Sequence, residues 1–345
     1  MLDQNNRIII AGQLEFGSDR VYEQVVQQYM HRMEHYYKND ILLKAEDIFR
    51  EEDRTLDVPR KVVPATDRQW LNTLNLLTRV STFSIAGDLN LWRLQGGQMK
   101  EHHVLEPRGD RTTTQLYLKG RELLDQEEKF SEARDALTKA IESFERHSIA
   151  YERRGYTNYQ LQNYKDALYD YEKSIKISPS RPAPHYGRGL VNLLHVDRTE
   201  VAVEDFEKVT KLAIPHQDIY WLARAMRGDA LMKLDRQEEA FKEYRFFLGR
   251  KQDLVKLRKL DRRVASTLAI GLAENGKCND AITYFEKSLE AQEDHKAAPE
   301  GEIRFRFAKC LREIGDKRWK DEGKKAVELG HKAAEELFSL RGTAA

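Results

Sequence analysis

The sequence predicts a mostly α-helical protein, an α–α superhelix of stacked helical hairpins preceded by a small α+β region. Three observations lead there. Small and aromatic residues recur at a spacing of 34 over the C-terminal two thirds: Gly155 and Gly189, Ala133 and Ala167, Leu137 and Tyr171, Ala140 and Ser174. Each such segment holds two apolar-periodic runs of about a dozen residues, separated by polar turns such as "LQNYKD", "LDRQEE" and "ENGKCND". Residues 1–107 lack this period and carry strand-like patterns.

In residues 1–107, "RIIIAGQLEF" is a candidate strand. Ser18 can cap a helix running to about Lys38, with Val21, Val25, Met30 and Met33 as its apolar stripe. A second helix is expected after Asn39-Asp40, carrying Ile41, Leu42, Ala45, Ile48 and Phe49. The charged stretch 50–67, "REEDRTLDVPRKVVPATD", has two prolines and reads as a loop. A third helix is expected from Asp67 to Ala86 with Trp70, Leu74, Leu77 and Val80 inward. "LNLWRLQGGQMKEHHVLEP" reads as a β-hairpin about Gly96-Gly97, a dipeptide suited to a two-residue turn.

From residue 112 the spacing describes packed antiparallel helix pairs. A small residue in the first helix lets the second cross closely, a small residue opens the second, and an aromatic four positions later shares its face. Gly155, Ala167 and Tyr171 fill these roles, and Pro179 ends the second helix by pushing Ser178 out of the α region.

This pattern resembles the tetratricopeptide repeat. Six copies are expected over 112–331, with first-helix small positions at Gly120, Gly155, Gly189, Gly228, Ala269 and Ala308. The second-helix positions are Ala133, Ala167, Ala202, Ala240 and Ala281; the sixth copy departs from the pattern after Gly315. A capping helix, Lys332 to Leu340, and a tail complete 332–345. The resemblance implies a stack in which each hairpin contacts mainly its neighbours. It also implies that first helices line a groove for an extended peptide or helix of another protein. Carried onto this chain, the groove positions include Tyr117, Arg121, Arg153, Tyr156, Tyr159, Tyr186, Met226, Arg306, Lys309 and Arg312. One subclass grips the C-terminal carboxylate of chaperone tails with a Lys/Asn/Asn/Lys/Arg set. The matching positions here, Leu118, Arg121, Arg153, Tyr156, Ala183 and Gly187, do not reproduce that clamp.

The expectation is therefore a non-enzymatic scaffold or adaptor with a protein partner and no cofactor. A structural subunit of a larger assembly is the alternative. A third reading is an enzyme with a metal site in "HRMEH", where His31 and His35 lie one helical turn apart with Glu34 as base, and Glu101 or Glu106 as a further ligand. Five residues in that order also arise as two histidines on the exposed side of an amphipathic helix. His102 and His103, adjacent on a strand, point to opposite faces and cannot share one ion. No phosphate-loop, dinucleotide-turn or nucleophile-elbow pattern occurs.

Lys+Arg of 58 against Asp+Glu of 57 gives a net charge of +1, which disfavours a nucleic-acid partner held by the whole molecule. The basic run "RKQDLVKLRKLDRR" reads as the solvated face of a helix or connection. No apolar run reaches the ~18 residues of a membrane span. The opening "MLDQNNRIIIAGQLEF" lacks a basic n-region and has too short an apolar run for a secretory signal. Cys278 and Cys310 have no metal-ligand spacing and suggest a reducing compartment, so a cytoplasmic location is expected.

Overall fold

The computed structural model describes residues 6–108, 111–252, 254–292, 294 and 296–338. The chain divides into two compact units, Met1–Arg198 and Thr199–Ala345.

The first unit begins with β1 (Asn6–Glu15), α1 (Asp19–His31), α2 (Ala45–Ile48), β2 (Phe49–Arg50), β3 (Thr55–Ala65), α3 (Asp67–Ser81), β4 (Ala86–Gln95) and β5 (Gln98–Leu105). Among the described residues, the strands form one antiparallel sheet in the order β2-β3-β1-β4-β5. β1 is central because its Ile8, Ile10 and Leu14 alternate onto one face. There they join Leu89 and Leu91 of β4, Tyr22, Val25 and Tyr29 of α1, and Trp70, Leu77 and Val80 of α3. A register shift between Ile10 and Gly12 bends the strand. Gly12 has φ +131°, and a Cβ there would stand 2.2 Å from the Asp88 carbonyl.

Four expectations for this region change. Residues 55–65 are a strand rather than a loop, pairing with β1 from Asn6↔Ala65 to Glu15↔Thr55. Pro59 and Pro64 are compatible because β2 covers only Thr55 and Leu56, leaving the rest of β3 at the sheet edge where a proline costs no ladder bond. The second helix shrinks to one turn, Ala45–Ile48, and Phe49 enters β2. Side chains fix the segment before it: Tyr29 Oη donates to the Leu43 carbonyl, Leu42 N to Thr73 Oγ1, and Asn72 Nδ2 to the Asp40 carbonyl. The third helix stops at Ser81, where Ser81, Thr82 and Ser84 hydroxyls bond to carbonyls three residues back, an alternative to continuing the helix. The first helix ends at His31 and passes into a π-helical turn, Arg32–Tyr36; Lys38 and Asn39, with φ near +51° and +61°, stop it. Its buried stripe is Tyr22, Val25 and Tyr29, while Met30 is exposed. The hairpin about Gly96-Gly97 and the first strand form as expected, with both glycines at positive φ.

The same unit continues with α4 (Thr112–Leu123), α5 (Phe130–Ser143), α6 (Ser148–Gln160), α7 (Tyr164–Ile177) and α8 (Pro182–Leu194). Tyr171, on α7, shows why the repeat spacing exists. A Cβ on Gly155 would lie 2.9 Å from its ring, and one on Gly187 would lie 2.3 Å from it. The ring is thus wedged between first helices of successive copies, with Ala167 and Ser174 buried beside it.

The second unit holds α9 (Thr199–Leu212), α10 (Asp218–Lys233), α11 (Gln237–Leu248), α12 (Val255–Glu274), α13 (Cys278–Glu290), α14 (Glu300–Glu313), α15 (Trp319–Glu328) and α16 (Lys332–Phe338). A Cβ on Gly228 would lie 2.4 Å from the Tyr244 ring, which repeats the Gly155–Tyr171 contact. In the sixth copy, buried Gly323 and Ala326 on the ten-residue α15 take the small-residue role, fifteen residues after Ala308 rather than twelve (323 − 308). α16 follows where a capping helix is expected; the end of that helix and the tail, 339–345, lie outside the described residues. Among the described residues no helix is long and apolar enough to cross a membrane.

Cys278, opening α13, and Cys310, on α14, form a disulfide with Cα atoms 5.0 Å apart. Thirty-two residues separate them, yet stacking of adjacent copies brings them together, contrary to the expectation of two free thiols. Reduction should destabilise the second unit by about 3–4 kcal/mol through loss of loop closure. Thiol titration of the denatured, unreduced protein should find no free thiol. Two free thiols, or an unfolding midpoint insensitive to reductant, would contradict the pairing.

Candidate functional site: the faces of the first helices

In the first unit, Arg111, Arg146 and Arg181 each stand just before the first helix of a copy and are 35 residues apart (146 − 111; 181 − 146). Each reaches the N-terminal sheet region. Arg111 Nη1 donates to the Phe83 carbonyl at 2.7 Å. Arg146 pairs with Glu15 at 3.3 Å and Asp53 at 3.0 Å. Arg181 bridges Asp88 of β4 at 2.7 Å and Glu152 of α6 at 2.9 Å. This last trio is largely dry, with 13%, 14% and 8% of the respective side chains exposed. Burial opposes the Arg181 charge, but the two carboxylates more than offset it and hold the guanidinium protonated. One repeat period thus sets three arginines in a row, and the sheet supplies their acceptors.

Two buried groups at this junction respond to pH in opposite directions. Burial raises the Glu15 carboxyl to about 7, against the pull of Arg146. A carboxyl raised above its unfolded value binds protons more tightly when folded, so its stability contribution is complete below about pH 4.5 and is lost as pH rises toward 7. His147 caps α6, its Nδ1 accepting from Ala150 N, and its ring lies 4.8 Å from that of Tyr117. Burial, then Arg181, lowers it to about 3, so its contribution is lost as pH falls through 6.5 toward 3. The two slopes partly cancel between pH 4.5 and 6.5. Glu15→Gln should therefore stabilise the protein at pH 8 by roughly 2–3 kcal/mol and have little effect at pH 5. Denaturant midpoints at both pH values check this; an equal effect at each would show that Glu15 titrates normally.

The sequence-derived groove positions divide between the two units. Tyr117 is buried against His147. Arg121 Nη1 reaches both Glu106 oxygens at 2.7 and 2.9 Å, and Arg153 lies 3.8 Å from Glu152. Tyr156 is exposed, edge-on to Phe130 at 6.4 Å. Tyr159 packs with Tyr164 and His195, and Tyr186 is half-buried.

In the second unit, α10, α12 and α14 are consecutive neighbours. Asp229 pairs with Arg263 at 2.6 Å, and Glu274 with Arg306 at 2.9 Å, stitching each first helix to the next. The same helices carry half-buried Met226 and Met232 on α10 and Thr267 and Ile270 on α12. Lys309 and Arg312 are exposed on α14. Thr267 and Ile270 fall two residues before and one after Ala269, as Met226 and Asp229 flank Gly228; that shared offset was available in the sequence. Within the basic run 250–263, Arg250 pairs with Asp261, Arg262 with Glu300 and Arg263 with Asp229, while Lys251, Lys256, Arg258 and Lys259 are exposed.

The "HRMEH" segment crosses the end of α1 into the π-helical turn, where the exposed His31 and His35 rings are 4.7 Å apart and Glu34 is solvent-facing. The carboxylates considered as a further ligand are otherwise engaged: Glu101 with Arg93 and Trp70 Nε1, and Glu106 with Arg121. Among the described residues no three His, Cys, Asp or Glu side chains stand together as a metal site. His102 stacks on Trp92 and His103 lies beside Trp70, on opposite faces of the sheet.

A family model described as "Tetratricopeptide repeat" matches residues 117–182. Among solved structures, Pseudomonas aeruginosa pilF is similar over 67% of this chain and 98% of its own, at 13% identity and a TM-score of 0.51. YrrB, described as a TPR protein with an unusual peptide-binding site, is similar over 60% of this chain and all of its own, at 20% identity and a TM-score of 0.48. No curated protein sequence matches the chain. Residues 117–182 thus match the tetratricopeptide repeat, and the likeness to pilF shows a helical-repeat fold, which here follows an N-terminal antiparallel sheet region.

Proposed function

We propose that the protein is a non-enzymatic adaptor that holds a segment of a partner protein on the first-helix faces of its repeats. The observation that carries this reading is the face of α10, α12 and α14. Met226, Thr267 and Ile270 remain partly exposed there, although Ala225, Leu268 and Ala269 beside them are fully buried. Packing within and between hairpins uses the buried set and leaves the others for contact. Tyr156, Tyr159 and Tyr186 are the corresponding candidates in the first unit. There Tyr117, Arg121 and Arg153 already have neighbours from their own chain.

Photo-crosslinkable residues at Met226 and Ile270 should trap a partner chain, and Met226→Glu with Ile270→Glu should abolish its capture without changing the circular-dichroism melt. Undiminished capture by that double variant would remove the face from the mechanism.

A further inference from the structure

Cations on the repeats of both units pair with carboxylates of their own chain, and a cluster in the sixth copy differs. In the first unit, Arg121, Arg146 and Arg181 meet Glu106, Glu15, Asp53 and Asp88, carboxylates contributed by the N-terminal sheet region and the segment after it. In the second unit, the sixth copy presents Lys309, Arg312 and Lys320, all exposed. What lies beside them is aromatic: Lys309 is 5.7 Å from the Phe305 ring, and Arg312 and Lys320 are 5.4 and 5.8 Å from Trp319. Among the described residues none of these three cations has an ion-pair partner. The nearby carboxylate of Glu302 is engaged by Arg306 at 2.6 Å and His331 at 2.6 Å, and Glu274 is engaged by Arg306.

We propose that this cluster receives a carboxylate-rich segment of the partner, two or more Asp or Glu side chains seating against Lys309, Arg312 and Lys320. The inference rests on the adaptor reading and specifies the chemistry of its partner. Charge complementarity sets the class. Lysine and arginine held over aromatic rings keep their full charge and their donors, and a carboxylate bound beside a ring gains a partly desolvated ion pair. The first unit shows the same pairing inside one chain, where cations on its repeats take the chain's own acidic side chains. A nucleic-acid strand fits the second unit poorly. Its phosphates would need cations along their whole path, whereas the adjoining α10 and α12 present Met226, Ile270, Asp229 and Glu274. Phe305 also stacks on His331 at 4.4 Å, which links the cluster to the segment leading into α16 and fixes the ring beneath Lys309.

The probe is a fluorescein-labelled peptide of two leucines followed by four glutamates, compared with its glutamine analogue by fluorescence anisotropy on the full chain. The glutamate peptide should bind about tenfold or more tightly than the analogue, and the difference should shrink as salt rises. Lys309→Glu with Arg312→Glu should remove that preference while the melting curve is unchanged. Equal binding of the two peptides, binding of neither up to ~1 mM, or a preference surviving the double variant would overturn the proposal. So would tighter binding of an oligouridylate than of the glutamate peptide. If partner capture is lost in Met226→Glu with Ile270→Glu but kept in the Lys309/Arg312 variant, the acidic chemistry is wrong and the adaptor reading stands. If neither variant affects capture, the adaptor reading itself fails.

Discussion

Arg181→Leu should destabilise the first unit by about 3–5 kcal/mol, the cost of breaking a buried ion pair from one side. The substitution leaves Asp88 and Glu152 facing each other with little solvent and no cation between them. Leucine can fill part of the space, but it cannot answer either carboxylate. In a unit of this size, thermal unfolding should move down by about 10 °C. Replacing Asp88 and Glu152 by leucine in the same variant should recover much of the loss, since apolar groups of similar volume often substitute for a buried ion pair without penalty. A midpoint unmoved by Arg181→Leu would mean that the bridge is solvated and weak.

Tyr171→Ala should cost about 3–5 kcal/mol, as for other large core truncations. The ring fills space that Gly155 and Gly187 leave open on two successive first helices, so its loss creates one cavity bordered by both copies. Gly187→Ala approaches the same contact from the other side: its Cβ would stand 2.3 Å from the ring, and the tyrosine must move. Urea unfolding of each variant measures these effects. A truncation as mild as a surface substitution would place the ring outside the core.

The repeats were legible because packing imposes residue size at fixed offsets, and size is written directly in Gly155, Ala167 and Tyr171. The strand β1 and the hairpin of β4 and β5 were legible from alternation and from Gly96-Gly97. β3 was not legible because prolines in sequence read as breakers, whereas at a sheet edge the missing N–H costs nothing; which strand lies at the edge is a property of the assembled sheet. The segment before α2 departs from a helix for a related reason: Ile41 and Leu42 have the composition of one, but tertiary bonds from Tyr29, Asn72 and Thr73 hold the segment in a non-helical path. Candidate groove positions come from the repeat pattern, but whether a cation at one of them has a partner depends on carboxylates far away in sequence. Arg181 and Asp88 are 93 residues apart, and no local pattern joins them. The spacing of Arg111, Arg146 and Arg181 was visible throughout; it acquires meaning only with the sheet beside it. The disulfide is similar, since stacking rather than spacing brings Cys278 to Cys310.

In the compact first unit the sheet and the first repeats meet at Arg111, Arg146 and Arg181, and they should unfold as one cooperative body. Native-state hydrogen exchange of the full chain, with and without Arg181→Leu, tests it most directly. Cooperative units exchange with a common opening free energy. The slowest amides of β4 and of α6 should therefore share one value in the unaltered protein and fall by the same amount in the variant. If β4 keeps its protection while α6 loses its own, the sheet folds by itself and the arginines are no more than contacts between neighbours.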